Sequence, residues 1–242
     1  MPSLPEPSRP SRPAAVGTKF NSDGSVRAYP GNTIICHVPA DSMLFQGLVD
    51  LQNSLTSQRF ARRLSLLPPS SFHMTVFEGV CDEIRTPGHW PDGLPSDAPL
   101  AACHAHFREK LKDFDLGFEP PLRLRIDENQ GDGSEGTLQL APADAEENRR
   151  LRRLRDRLAV HLGLRHANHH EYRFHITQAY AIDYLTDAEE ADCRRLYADA
   201  ARQLASDVPL IELGPPEFCL FENMFHFEHQ FALRSVTGPR LP

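Results

Sequence analysis

The sequence has no long hydrophobic run, no apolar leader and no closely spaced pair of cysteines. No stretch of about 18 apolar residues occurs, so we expect no membrane span. The segment from Met1 to Val16 is rich in proline and serine and has no apolar h-region, so we expect no signal peptide. The five cysteines are odd in number and form no CxxC motif. These absences predict free thiols and a cytoplasmic protein.

The chain also lacks an excess of positive charge. It has 26 Lys and Arg against 33 Asp and Glu, which gives a net charge of −7. This balance excludes a protein that coats nucleic acid nonspecifically through its overall charge. The composition, with 40% hydrophobic and 24% charged residues, is typical of a soluble globular protein. The length of 242 residues suits one large domain or two small lobes, and we favour a monomer.

Three segments are distinguished by their composition. Residues 1–30 contain several prolines and a turn signal at 21–24, and they predict an extended N-terminal arm. Residues 31–242 alternate apolar strand and helix patterns, and they predict a single domain. Within it, residues 81–99 hold four prolines and the only tryptophan, which predicts an insertion loop.

Two short strand patterns of the same kind lie 102 positions apart, one at Ser71–Phe77 and the other at Arg173–Tyr180. Each has a histidine and a threonine two residues apart, so both side chains lie on one face of a strand. Apolar residues occupy the other face. Regular alternation adds Phe77 to the first polar face and Arg173 to the second. It places Tyr180 on the opposite face, which favours packing in the core.

The paired motifs offer the groups that phosphodiester chemistry needs. Histidine titrates near pH 6.5, so one ring can be neutral while the other is protonated. If the strands face one another across a cleft, the two rings serve as general base and general acid. Threonine hydroxyls donate to phosphoryl oxygens and stabilise negative charge in the transition state. No carboxylate cluster accompanies either motif, so we expect neither a metal nor another cofactor.

This pair of motifs resembles the two-histidine (2H) phosphoesterase superfamily, which includes 2′-5′ RNA ligase-like proteins and cyclic nucleotide phosphodiesterases. The segment 30–35 and the overall length are similar to a bacterial branch of unassigned function. The resemblance implies an α+β fold, a bilobal duplicated unit with two mainly antiparallel sheets around a central cleft and helices on the outside. It also implies the site residues His73, Thr75, His175 and Thr177.

The second motif departs from the superfamily pattern. Many members carry an arginine two positions after the second threonine, where this chain has Ala179. A phosphate-binding charge is either missing here or supplied by Arg173 on the same strand face. Phe77 is a further candidate for substrate binding, by stacking on a base, with packing in the core as the alternative. Tyr180 is also a candidate for substrate binding, although its predicted face favours the core. The predicted function is metal-independent hydrolysis of a 2′,3′-cyclic or related phosphodiester of a nucleotide or RNA end. The alternatives are a nucleotide-binding module without turnover and an RNA end-processing or ligase-like protein.

Two further clusters have ordinary explanations. Histidines at positions 161, 166, 169, 170 and 175 suggest zinc, but most of them follow Gly163 in a predicted loop without cysteine. We favour a solvated loop. Six arginines between positions 149 and 157 lie on a predicted helix that also carries Glu146 and Glu147. We favour a solvated helix face, and an RNA-facing surface is the alternative.

Overall fold

Three of the four α-helices among the described residues begin at a capping side chain, and the other begins after Pro99 without one. The structure, a computed structural model, describes residues 10–131 and 136–235. The Ser42 hydroxyl and the Asp144 carboxylate each accept a hydrogen bond from a first-turn amide, and Thr186 forms a capping box with Glu189. Gly163, in the left-handed conformation with φ 65°, ends the third helix. The α-helices are α1 (Met43–Thr56), α2 (Leu100–Leu111), α3 (Ala145–Leu162) and α4 (Asp187–Asp207).

The strands form from short apolar or alternating runs of the sequence, and the fourth and fifth strands pair in antiparallel order. Two short 3₁₀ turns, Ala61–Arg63 and Pro69–Ser71, lie before and after the second strand. The strands are β1 (Gly31–His37), β2 (Leu64–Leu66), β3 (His73–Cys81), β4 (Leu122–Ile126), β5 (Thr137–Pro142), β6 (Phe174–Thr177), β7 (Ala179–Ala181), β8 (Ile211–Leu213), β9 (Glu217–Asn223) and β10 (His226–Ala232).

Eight strands form one antiparallel sheet in the order β10-β9-β1-β3-β6-β5-β4-β8, and β2 pairs with β7 in a small second sheet. The predicted α+β fold is confirmed. The two motif strands, β3 and β6, are neighbours at the centre of the large sheet. They therefore lie side by side and not in opposing sheets. Counted outward from this central pair, β1 next to β3 corresponds to β5 next to β6, and β9 in turn corresponds to β4. This order is compatible with the predicted duplication, which stays a prediction.

One face of the sheet is covered by helices and holds the main hydrophobic core. Helix α3 packs on β3 and β5, α4 on β4, and α2 on β9. In the predicted insertion loop, residues 82–99 form neither helix nor strand, but Trp90 is buried and its indole N–H donates to the Pro95 carbonyl at 3.0 Å. Among the described helices, none has the length and apolar character to cross a bilayer.

The described part of the N-terminal segment packs against the other face of the sheet. Phe20 is fully buried, and its ring lies 5.2 Å from that of Tyr180 and 6.0 Å from that of Phe225. Isolated bridges join Phe20 to Val16 and Val26. Residues 1–9 of the predicted arm and 236–242 of the predicted domain lie outside the described residues. The segment 10–30 thus contributes to a core, and the domain boundary after residue 30 stays a prediction.

We expect Phe20→Ala to lower the free energy of unfolding by about 3–5 kcal/mol, because it removes a buried ring and leaves a cavity. Urea denaturation of the full chain measures this. Val160→Ala is the matched control, since Val160 is 77% exposed on α3 and its truncation should cost no stability. Equal unfolding midpoints for the two variants would show that the N-terminal segment does not belong to the core.

Candidate functional site

The register of β3 and β6 brings the two motifs together. Met74 pairs with Ile176, and both side chains are fully buried in the core. In an antiparallel ladder, the residues on either side of this pair stand opposite each other on the other face. Each histidine therefore lies opposite the threonine of the other motif, and the two histidines are diagonal neighbours, roughly 7–8 Å apart at Cα. A cleft of about 470 Å³ is lined by all four predicted residues, His73, Thr75, His175 and Thr177.

The two imidazoles are oriented in the same way. Nδ1 of His73 lies 2.7 Å from the Ser71 carbonyl, and Nδ1 of His175 lies 2.9 Å from the Arg173 carbonyl. A carbonyl only accepts, so Nδ1 carries the proton in both rings. The hydrogen bond in each case reaches back two residues. Nε2 of each ring is therefore left for chemistry, as a base when neutral and as an acid when protonated.

His73 is held in its neutral form. Burial lowers its pKa from 6.5 to about 4, and electrostatic interactions with His37, His175 and Lys19 lower it further. The hydrogen bond to Ser71 opposes it. The ring of Phe227 packs 4.3 Å from the His73 ring and contributes to that burial. At neutral pH this imidazole is therefore uncharged and can accept a proton.

The predicted alternation is wrong beyond Thr75. Consecutive β1 residues Ile34 and Ile35 pair with Phe77 and Thr75, so β3 carries one extra residue at a β-bulge. Phe77 consequently turns into the core, where it is 1% exposed. Glu78 takes the position on the cleft face instead. Phe77 is therefore not available for stacking on a base.

Arg173 does not supply the expected charge. Its guanidinium donates to the Asn129 carbonyl at 2.7 Å and lies 3.6 Å from the Asp127 carboxylate, on the loop after β4. The side chain is half exposed there and is directed away from the cleft. What Arg173 contributes to the site is its backbone carbonyl, which orients His175.

The charge in the cleft comes from Lys19, which the sequence analysis missed. Strand β6 ends before Gln178, whose backbone N–H donates to the Gly136 carbonyl at 2.8 Å. Because of this interruption Tyr180 lines the cleft. Lys19 Nζ donates to the Tyr180 hydroxyl at 3.3 Å and lies 5.5 Å from the centre of the Tyr29 ring. The N-terminal segment thus places an ammonium group beside the two motifs.

The other end of the cleft contains an unpaired acceptor. Glu78 lines it, and its buried Oε2 has no hydrogen-bond partner among the described residues. Beneath it, Arg155 is 1% exposed, donates to the Val76 carbonyl at 2.6 Å and lies 4.1 Å from the centre of the Tyr172 ring. Burial raises the pKa of Tyr172, so this phenol stays neutral. A ligand that carries N–H or O–H donors would pair with Glu78.

Helix α3 is not uniformly solvated, which corrects the prediction for its arginines. Arg155 is in the core, as described above. Arg150 donates to the Pro121 carbonyl at 2.8 Å, and Arg157 donates to the Leu116 carbonyl at 2.9 Å. These three side chains therefore fasten the helix to the segments beside it.

The histidines between positions 161 and 170 do not converge on one point. His161 bonds to the Lys110 carbonyl at 2.6 Å, and His166 bonds to the Gly79 carbonyl at 2.9 Å. Among the described residues, potential metal ligands come together at two places, and one of these includes only His169 and His170 of this segment. In each group the ligand atoms lie within 4.8 Å of one another. One group is Asp156, His169 and His170, and the other is His37, Glu217 and Cys219.

Comparison with known proteins agrees with this geometry. Residues 19–134 match the family model 2H-phosphodiest, described as "Domain of unknown function (DUF1868)". The predicted resemblance to the 2H phosphoesterase superfamily is confirmed. The match begins at Lys19 and contains the first motif, and it ends before the second. This 2H assignment supports a phosphoesterase type of activity for the chain.

A solved structure covers both halves. The chain is similar to a conserved protein of unknown function, ATU0111 from Agrobacterium tumefaciens str. C58, with a TM-score of 0.85 and 28% identity. The similarity covers 93% of this chain and 94% of that one. No curated protein matches the chain.

We expect His73 to stay neutral down to about pH 4, which NMR titration of its ring resonances measures. An unfolded chain binds this proton near pH 6.5 and the folded chain does not. Stability should therefore be unaffected above pH 6.5 and fall as the pH drops toward 4. In His73→Gln this part of the pH dependence should disappear. A His73 ring that charges near pH 6.5 would contradict the burial argument.

Proposed function

We propose that the protein, a cytoplasmic monomer, hydrolyses a 2′,3′-cyclic or related phosphodiester of a nucleotide or RNA end without a metal ion. The observation that carries this proposal is the position of the four motif side chains on neighbouring strands, around one cleft. Two imidazoles with the same free nitrogen and two hydroxyls fit around a single phosphate. The 2H family match supports phosphoesterase chemistry.

The two rings take different roles. His73 is neutral, so its Nε2 removes a proton from a water molecule as the water oxygen attacks phosphorus. His175, protonated, gives a proton to the ribose oxygen as its bond to phosphorus breaks. The proton count balances, since one proton enters His73 and one leaves His175. Thr75 and Thr177 donate to the non-bridging oxygens, where negative charge grows.

Lys19 provides the positive charge that the superfamily takes from an arginine after the second motif. Its ammonium lies in the cleft beside Tyr180, and its positive charge contributes to the lowered pKa of His73. A phosphate with one negative charge or more is attracted to that position. At the far end of the cleft, the unpaired carboxylate oxygen of Glu78 suits a donor group of the nucleoside.

We expect turnover of one or more 2′,3′-cyclic nucleotides in the presence of EDTA. His73→Ala and His175→Ala should each lower kcat by roughly 10²–10⁴, because each removes a proton-transfer group. Thr75→Val and Thr177→Val should cost less, since water partly replaces a lost hydroxyl. Initial rates on a panel of cyclic nucleotides measure this.

Three outcomes would replace the proposal. If the double variant His73→Ala with His175→Ala still hydrolyses the substrate at a near wild-type rate, the two imidazoles do not take part in the reaction. Nucleotide binding without any turnover would favour the binding module. Joining of RNA ends in place of hydrolysis would favour the ligase-like alternative.

We expect Lys19→Met to raise KM, or the Kd of a nucleoside 2′-monophosphate, by at least about tenfold, with a smaller change in kcat, because the methionine keeps the length and removes the charge. Arg173→Met is the matched control and should leave both values near wild type. Titration calorimetry and steady-state kinetics give the comparison. The reverse pattern, with loss only in the Arg173 variant, would return the phosphate-binding role to that arginine.

A further inference from the structure

A second polar cluster continues from the candidate site toward the edge of the sheet. Glu217 Oε2 is 3.1 Å from Nδ1 of His37 and 2.7 Å from Nδ1 of His229. Cys219 lies beside them, and its sulfur is within 4.8 Å of ligand atoms of both His37 and Glu217. We propose that His37, Glu217, Cys219 and His229 form a binding site for Zn²⁺ that is separate from the phosphodiester site.

The sheet fixes the positions of these groups. They lie on β1, β9 and β10, which are neighbouring strands of the large sheet. Glu217 pairs with Ile35, and His229 pairs with Cys219. Alternation along β1 and β9 then puts all four side chains on the same face. Ligands on a hydrogen-bonded sheet are held more precisely than ligands on loops. A metal here would join the three strands.

The donor set matches zinc in kind and charge. Imidazole nitrogen, thiolate sulfur and carboxylate oxygen are the three ligand types that Zn²⁺ takes in proteins, in tetrahedral sites. The thiol favours zinc over magnesium and calcium, which bind oxygen ligands. One carboxylate and one thiolate balance the charge of the ion. The thiol proton leaves when the metal binds, and each imidazole carries its proton on the nitrogen away from the metal.

The cluster is open to solvent on one side. The side chains of His37, Glu217 and His229 are 28%, 23% and 51% exposed, while Cys219 is fully buried behind them. An ion can therefore enter past the two histidines and reach the sulfur. Tetrahedral ligand atoms stand about 3.4–3.8 Å apart at zinc bond lengths. Side-chain rotation would widen the 3.1 and 2.7 Å separations at Glu217 to that range when the ion enters.

The other group of potential ligands is less suitable. Its central carboxylate, Asp156, bonds to His169 at 2.9 Å and to the Arg165 guanidinium at 3.2 Å. The same guanidinium nitrogen lies 3.4 Å from Nε2 of His170. A cation, Arg165, thus already lies between two of the groups, and the group contains no thiol. It serves as the reference cluster in the experiment.

The test is a Co²⁺ titration of the full chain, freed of metal with EDTA and without substrate. We expect saturation at one equivalent with a thiolate-to-cobalt charge-transfer band and tetrahedral d–d bands, and competition by Zn²⁺. Cys219→Ser should abolish the charge-transfer band. Glu217→Gln and His229→Gln should weaken binding by at least about tenfold.

Cys103→Ser, at another buried thiol, and Asp156→Asn, in the reference cluster, should bind Co²⁺ like the wild type. Circular dichroism verifies that each variant is folded, and His229→Gln changes an exposed residue that folding tolerates. Absence of the charge-transfer band in the folded wild type would overturn the proposal. So would a band that survives Cys219→Ser, or equal affinity in His229→Gln. Because no substrate is used, these outcomes do not depend on the proposed hydrolysis.

Discussion

The candidate site depends on the pairing of β3 with β6. This contact joins segments about a hundred positions apart, and Met74 and Ile176 anchor it from the core side. A shift of the register by one residue would turn the motif side chains of one strand into the core. The packing of these two apolar residues on one face of the sheet therefore fixes the position of the four motif side chains on the other face.

Much of the fold was predictable because the sequence signals are local. The caps at Asp144 and Thr186, the leucine spacing of α3 and the hairpin of β4 and β5 all follow from nearby residues. That the four motif side chains line one cleft was predictable for the same reason, since a histidine and a threonine two residues apart share a strand face. That both strands would be neighbours in one sheet required knowledge of the pairing, which the sequence pattern alone does not contain.

The errors arose where the backbone departs from regular geometry or where distant segments meet. Phe77 was assigned to the cleft because the alternation of side chains was assumed to continue past Thr75. The β-bulge that interrupts it has no recognisable residue signal in the sequence. Tyr180 was placed on the wrong face because the strand is interrupted at Gln178. Lys19 was missed because its approach depends on the docking of an N-terminal segment whose composition suggested an extended arm. His37 lies 180 positions before Glu217 in the sequence, so its approach to Glu217 and Cys219 depends on the pairing of β1 with β9.

The hydrogen bonds that orient the two imidazoles have one further consequence. Both acceptors are main-chain carbonyls, of Ser71 and Arg173, and every amino acid supplies the same carbonyl. Substitution of either residue changes the side chain and leaves the acceptor in place, provided that the backbone keeps its path. The proton position on each ring is therefore insensitive to sequence drift at these two places. Other side chains that fit at these two positions would retain the same tautomer.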